Sequence, residues 1–265
     1  MRFASAALLA CALGLAACGP TPPPTTESAA PSTSNFVPEV YQARVDTGPN
    51  GEPIEIPAIK AAYLRDRNTR TRVPYNGPEA PGTVVVDPYA RLLYLVENGG
   101  MATRVGIAVG KAGLGYSGTA VIKRKAHWPS WTPTANMVAT EPELYAKFAK
   151  GVPGGTSNPL GSRALYLYEG DRDTMYRIHG TMDPSSIGKA TSAGCIRLFN
   201  QDVMDIYDRI PNGTVVRVRT ADESRRLEGP LRQTPDGYLE PVAPVEQTVA
   251  FAEGAAGFEP VPASW

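Results

Sequence analysis

From Thr83 to Thr220 the chain is cut into short β-rich runs by turn residues, and no stretch there is long enough for more than a short helix. "TVVVD" is followed by the turn "DPYA", then "RLLYLVE", the turn "NGG" and "MATRVGIAVG". Runs of β-branched and aromatic residues punctuated by Asn-Gly or Asp-Pro predict hairpins. "TAVIKRKA", "ALYLYE", "MYRIHGT" and "TVVRVRT" predict further strands. Two helices are expected. In "EPELYAKFAK" the acids precede the lysines, as the helix dipole favours. In "NQDVMDIYDRIPNG", Val203, Ile206, Tyr207 and Ile210 share one face, Asn200 is placed to cap the start, and Pro211-Asn212-Gly213 ends it. The fold class is mainly β with short helices, over residues 81–219.

The flanks differ. "MRFASAALLACALGLAACG" has a positive start and a short apolar stretch, too short for a permanent membrane span. "LAAC" ends it at Cys18 and resembles a bacterial lipobox, which implies a signal peptide over 1–17 and lipidation of Cys18. Acyl chains contributing ~0.8 kcal/mol per buried methylene would hold the protein to a membrane. An ordinary secretory signal is the alternative. Gly19, by analogy with enteric lipoproteins, points to the outer membrane and a periplasm-facing protein. Residues 18–45 include "GPTPPPTTESAAPSTSN", a disordered spacer by composition. At ~3.1 Å per residue where extended, it reaches on the order of 50 Å. Residues 46–80 form an N-terminal extension in which "EIPAIKAAYLRD" offers a short helix and "RTRVPYNGPEAPG" reads as turn. Residues 220–265 are polar, then rich in Pro, Gly and Ala, and are expected to be partly disordered.

The formal net charge of +0 gives no basic face for nucleic acid. Two histidines and three cysteines show no zinc-ligand spacing, so no metal is expected. Removal of the signal takes Cys11, and lipidation takes Cys18. Cys195 is then the lone thiol, in an exported protein where cysteines usually pair. It lies in "HGTMDPSSIGKATSAGCIRLFN", which also holds His179. A nearby imidazole can take the proton of a thiol and make it nucleophilic. A buried, inert cysteine remains the alternative on these two residues alone.

The surrounding letters narrow the choice. "HGT", then "SIG", then "SAGCIRLFNQD" closely resembles the YkuD-type L,D-transpeptidase catalytic domain. "VVVDPYARLLYLVENGG", "GIAVGKAG", "HWPSWTPT" and "GGTSNPLGSRALYLY" extend the resemblance over about 81–219. It implies a β-sandwich or barrel of mixed sheets with an active-site loop. It implies Cys195 as nucleophile, His179 as general base and acid, and the Gly180 carbonyl orienting the imidazole. Ser192 and Gly194 fall in the oxyanion region. Arg197 either supports the site or binds a substrate carboxylate, with a salt bridge inside the domain as the alternative. Trp131 is expected on the cleft wall, and His127 in packing beneath the long loop. Ala193 stands where many relatives carry a second histidine.

The implied substrates are peptidoglycan stem peptides, without metal or organic cofactor. Cys195 would attack the L-centre carbonyl of a tetrapeptide stem, release D-alanine and pass the acyl group to an amine. Water or a protein lysine as acceptor, and a non-catalytic peptidoglycan-binding lipoprotein, are the rivals.

Overall fold

The computed structural model describes residues 37–110, 116–191 and 195–242. Cys18, Ser192, Ala193 and Gly194 lie outside the described residues. The strands are β1 (Arg44–Thr47), β2 (Pro53–Ile56), β3 (Thr71–Pro74), β4 (Val84–Asp87), β5 (Leu92–Glu97), β6 (Met101–Gly106), β7 (Ala108–Gly110) and β8 (Gly118–His127). They continue as β9 (Arg163–Glu169), β10 (Arg172–His179), β11 (Ala190–Thr191), β12 (Ile196–Arg197), β13 (Val215–Val218), β14 (Leu231–Gln233) and β15 (Leu239–Pro241). The helices are α1 (Ala135–Thr140), α2 (Pro142–Tyr145), α3 (Asn200–Arg209) and α4 (Ala221–Glu228).

One mixed sheet runs β11-β7-β12-β10-β9-β8-β13-β4-β5-β6-β3. Pairs β10/β12, β11/β7 and β13/β4 are parallel, and the other pairs are antiparallel. Only Ile107 separates β6 from β7, yet the two strands sit near opposite ends of that order. The sheet must therefore curl over on itself. Val105, Ile107 and Val109 line the inside of the curl with Leu93, Leu165, Leu167, Ile178 and Ile196. Helix α3 plugs one side with Val203 and Ile206, joined by Ile210 just past its end, and Tyr207 packs at the edge. Lys125 Nζ donates to the Tyr207 and Ile210 carbonyls at 2.5 and 2.6 Å, capping the end of the helix. The fold is mainly β with mixed sheets and short helices, as expected.

Several local expectations change. Asn200 is not the cap of α3: Phe199 occupies that position, with no side-chain cap bond. The Asn200 amide is used elsewhere. Its Oδ1 accepts from the Ser162 and Thr181 amides at 3.0 and 3.2 Å, and its Nδ2 donates to the Thr181 carbonyl at 2.9 Å. It thereby staples the chain just after β10 to the start of β9. A Cβ on Gly180 or Gly161 would run into Asn200 Oδ1, and Gly161 also has φ 63°. Glycine at both places lets the three segments close up.

The stretch read as turn contains β3, an edge strand on β6. It ends at Pro74, which a sheet edge tolerates. In "EIPAIKAAYLRD" the end of β2 is followed by only a 3-10 turn, Ala61–Tyr63, in place of a longer helix. Extended chain there delivers Ile56 and Ile59 into two separate apolar clusters. Helix α1 was not anticipated. It is capped by Thr134 but carries no apolar periodicity. Residues 37–45, assigned to a disordered spacer, hold a 3-10 turn and the start of β1, because Tyr41 is fully buried against Phe199. Beyond residue 220 the chain forms α4, with a capping box between Thr220 and Glu223, and the β14/β15 hairpin.

The N-terminal extension is bolted to the sheet by charge as well as by apolar contact. Arg163 is 3% exposed and forks onto Asp46, at 2.6 Å from Nη1 and 3.2 Å from Nη2. The buried Trp128 donates Nε1–H to the same carboxylate at 2.8 Å. Burial opposes ionisation of Asp46, but the Arg163 guanidinium prevails and holds its pKa below the usual range.

Two outcomes follow from these contacts. Asp46→Ala leaves a buried guanidinium without its partner and is expected to cost roughly 3–5 kcal/mol, read by chemical denaturation. Loss below 1 kcal/mol would show that the bolt is dispensable. Asn200→Ala is expected to cost roughly 2–3 kcal/mol, since two amide donors lose their acceptor, and to speed hydrogen exchange at Ser162 and Thr181. Unchanged exchange at both amides would contradict the staple.

Candidate active site

Residues of alternating parity on β10 face opposite sides of the sheet. Ile178 points into the main core, so His179 and Arg177 point outward. Strand β12 runs parallel to β10 with Ile178 opposite Ile196 and His179 opposite Arg197. Ile196 is also core, so Arg197 and Cys195 share the outward face with His179. The thiol and the imidazole thus become diagonal neighbours on adjacent strands. The hydrogen bond from the Leu198 amide to the His179 carbonyl, 2.8 Å, fixes that register.

His179 is 2% exposed. Its Nδ1 lies 2.6 Å from the Gly180 carbonyl oxygen. A carbonyl can only accept, so Nδ1 carries the proton and Nε2 keeps its lone pair. Burial lowers the His179 pKa to about 3, helped by the positive charge of Arg197, with hydrogen bonds to the Gly180 and Leu160 backbone pulling the other way. Cys195 is a free, half-buried thiol. Burial raises its pKa, while the charges of Arg177 and Arg197 and the Arg177 backbone amide lower it in part. Burial thus works against the charged form of both the thiol and the imidazole beside it.

Arg197 forms no ion pair among the described residues, so its charge is left to the site. Trp131 lies in the excursion between β8 and β9. It exchanges two backbone hydrogen bonds with Val152 and packs on Tyr145 and Phe148, with ring centroids at 6.2 and 5.9 Å. The excursion is tied to itself by the buried Asn158, whose Nδ2 donates to the carbonyls of Pro129, Val152 and Pro153. His127 is not beneath that loop. It pairs with Arg163, on the face opposite His179, and is exposed with its ring edge-on to Tyr207 at 4.8 Å. Trp128 is buried at φ 38° and serves the Asp46 bolt. Among the described residues no cluster of three or more His, Cys, Asp or Glu side chains could hold a metal ion.

Three neighbours of the thiol were not anticipated. Burial raises the Tyr145 hydroxyl, and the Cys195 and Arg197 charges act on it in opposite directions. Burial and Cys195 both raise Tyr176, whose ring stacks on Tyr116 at 4.6 Å. Arg177 is the third. Arg177 is two residues before His179, so strand alternation alone could have found it. For Tyr145 no sequence signal exists, because a short helix far away in the chain brings it in.

The arrangement suits a thiol that gives its proton to a neighbouring imidazole as it attacks an electrophile. The YkuD family, the L,D-transpeptidase catalytic domain, matches residues 81–218. "Probable L,D-transpeptidase YbiS" of Escherichia coli strain K12 is 34% identical over 179 residues, covering 65% of this chain and 54% of that protein. The chain thus spans about half the length of that relative. Among solved structures, one from Brucella melitensis described as a probable carnitine operon oxidoreductase is 48% identical, covering 58% of this chain and 96% of that one, with a TM-score of 0.41. An L,D-transpeptidase from Mycobacterium smegmatis is 18% identical, covering 52% of this chain and 58% of that one, with a TM-score of 0.39. Neither superposition carries the assignment, which rests on the sequence match over more than half of the chain. The chain belongs to the YkuD family of L,D-transpeptidase catalytic domains.

Proposed function

We propose that the protein is an exported peptidoglycan L,D-transpeptidase that uses Cys195 as nucleophile. The placement of the Cys195 thiol and the Nδ1-bonded His179 imidazole on one face of β10 and β12 carries this reading. As Sγ attacks the L-centre carbonyl of the third residue of a tetrapeptide stem, its proton passes to His179 Nε2. The tetrahedral adduct collapses when the C–N bond to the terminal D-alanine breaks. His179 returns the proton to the leaving amine, and a thioester remains on Cys195. An amine of a second stem, on diaminopimelate, attacks the thioester and loses its proton to His179. The thiol is restored and a 3→3 cross-link forms.

Backbone amides near Gly194 and Cys195, with Ser192 beside them, are the proposed donors to the developing oxyanion. Arg177 and Arg197 supply positive charge as the sulfur becomes negative and later as the oxyanion forms. The Gly180 carbonyl stabilises the imidazolium formed during each transfer. Trp131 and Tyr145 form the wall of the cleft on the side of the excursion. No step calls on a metal or an organic cofactor. The lipobox resemblance at "LAAC" supports attachment through a lipid on Cys18, with the domain facing the periplasm from the outer membrane.

A base whose folded pKa lies near 3 remains deprotonated down to acid pH. The value of kcat/KM for acylation by a tetrapeptide stem is therefore expected to stay level from about pH 8 down to about pH 5. His179→Ala is expected to lose about 10²–10⁴-fold at neutral pH and to recover part of that in alkali, where the thiol ionises unaided. Cys195→Ala is expected to form no thioester by mass spectrometry. A wild-type acid limb centred near the ordinary histidine pKa would show that the resting state is an ion pair instead.

The membrane attachment has its own test. Cys18→Ser is expected to abolish incorporation of a fatty-acid analogue in growing cells. Labelling of that variant equal to wild type would remove Cys18 as the lipid site.

A further inference from the structure

A second feature shares the outward face of the sheet with the thiol. Arg124 on β8 pairs directly with Tyr166 on β9, and Tyr166 pairs with Arg177 on β10. The next position in the row, on the chain entering β12, is Cys195. Leu165, Leu167 and Ile178, the alternate residues, point into the core. Both guanidiniums stack on the same phenol ring, each with its central carbon 4.4 Å from the ring centroid. Tyr166 is only 8% exposed beneath them.

Two cations drawn to one ring repel each other unless an anion joins them. One carboxylate does so. Asp173 binds Arg177 through two hydrogen bonds of 2.6 and 2.8 Å, and Arg177 also donates to the Tyr176 carbonyl. Arg177 is thereby fixed in place. Arg124 is exposed and forms no ion pair among the described residues. Its guanidinium sits over Tyr166, with its N–H donors left for another partner. Asp173 feels the charge of both guanidiniums, so the row sets two positive charges against one carboxylate, on the face where the thiol reacts.

We infer that the Arg124–Tyr166–Arg177 row is a carboxylate-binding subsite, in which Arg124 grips a free carboxylate of the peptide whose carbonyl reaches Cys195. The inference rests on the reading of the site as one for stem peptides. Arg177 holds the ring and the register, and Arg124 makes the contact. Adjacent strands lie ~4.8 Å apart, so Tyr166 stands roughly 10 Å from the Cys195 strand. That span fits a carboxylate one to two residues from the scissile bond, not one on the scissile residue's leaving group. A tetrapeptide stem offers two there: the α-carboxylate of its γ-linked glutamate and the side-chain carboxylate of diaminopimelate. A flat guanidinium recognises either one through two parallel hydrogen bonds.

The test measures binding apart from turnover. Calorimetry of the full chain carrying Cys195→Ala compares L-Ala-γ-D-Glu-diaminopimelyl-D-Ala with the same peptide amidated at both of those carboxyls. The free peptide is expected to bind about tenfold tighter or better, as charge-assisted bidentate contacts allow. Adding Arg124→Gln is expected to bring the ratio to within about threefold, and Arg124→Lys to leave an intermediate ratio because charge survives without the fork. Singly amidated peptides then assign the carboxylate. Equal affinities in the parent, no binding of either peptide, or a ratio unmoved by Arg124→Gln overturns the subsite. A ratio that collapses in Arg124→Gln while wild-type protein fails to cross-link or trim stems upholds the subsite and overturns the proposed reaction.

Discussion

The parallel pairing of β10 with β12 is the contact on which the site depends. It brings Ile178 and Ile196 together inside the curl of the sheet. Once those two are buried, strand alternation leaves no choice about the outer face. His179 and Arg197 must stand opposite each other, with Arg177 and Cys195 one step below. A slip of one residue would send the proposed nucleophile or its base into the core. The core therefore acts as the alignment device for the chemistry, and Asn200 adds a second lock where the chain leaves β10.

The same burial sets the charge state of the pair. A thiolate and an imidazolium would both be desolvated under the excursion from β8 to β9. Burial pushes the thiol up and the imidazole down, and the two nearby arginines discourage a third positive charge on His179. Burial thus disfavours charge on either member of the pair before the thiol attacks. Positive charge already in place then stabilises the negative sulfur or oxygen without reorganisation, which is where a fixed environment is most effective.

The flanking segments behave as parts of this device. Tyr41 reaches α3 and donates to Asp202 at 3.1 Å, while Gln201 donates to the Pro57 carbonyl at 3.0 Å. Asp202 is fully buried, and burial pushes its pKa up to about 7 against the pull of Arg70 and Tyr41. On the other side, Arg219 is buried and links Asp87, Glu228 and the Tyr75 hydroxyl, tying α4 to the sheet. Residues 37–80 and 220–242 thus brace α3 and the sheet from outside the family's matched region.

What the sequence determined by itself was local. β-branched runs and turn residues located the strands, the apolar face of α3 located its core contacts, and the motif around His179 and Cys195 named the family. Each of these signals lies within a few residues of its own consequence. The capping box at Thr220 and Glu223 was equally legible, although the polar composition around it concealed the helix. Tertiary structure alone decided the rest. Asn200 reads as a helix cap until Ser162 and Thr181 arrive from other strands to claim its amide. His127 and His179 look alike in the sequence, and strand pairing puts them on opposite faces. Arg124, Tyr166 and Arg177 lie on three strands, the first two joined through a long excursion and the last two by a tight hairpin, and only the register sets them in a row beside the thiol. Side-chain chemistry is written residue by residue, but which groups meet is fixed by long-range pairing, where burial of the alternate positions selects one register from many.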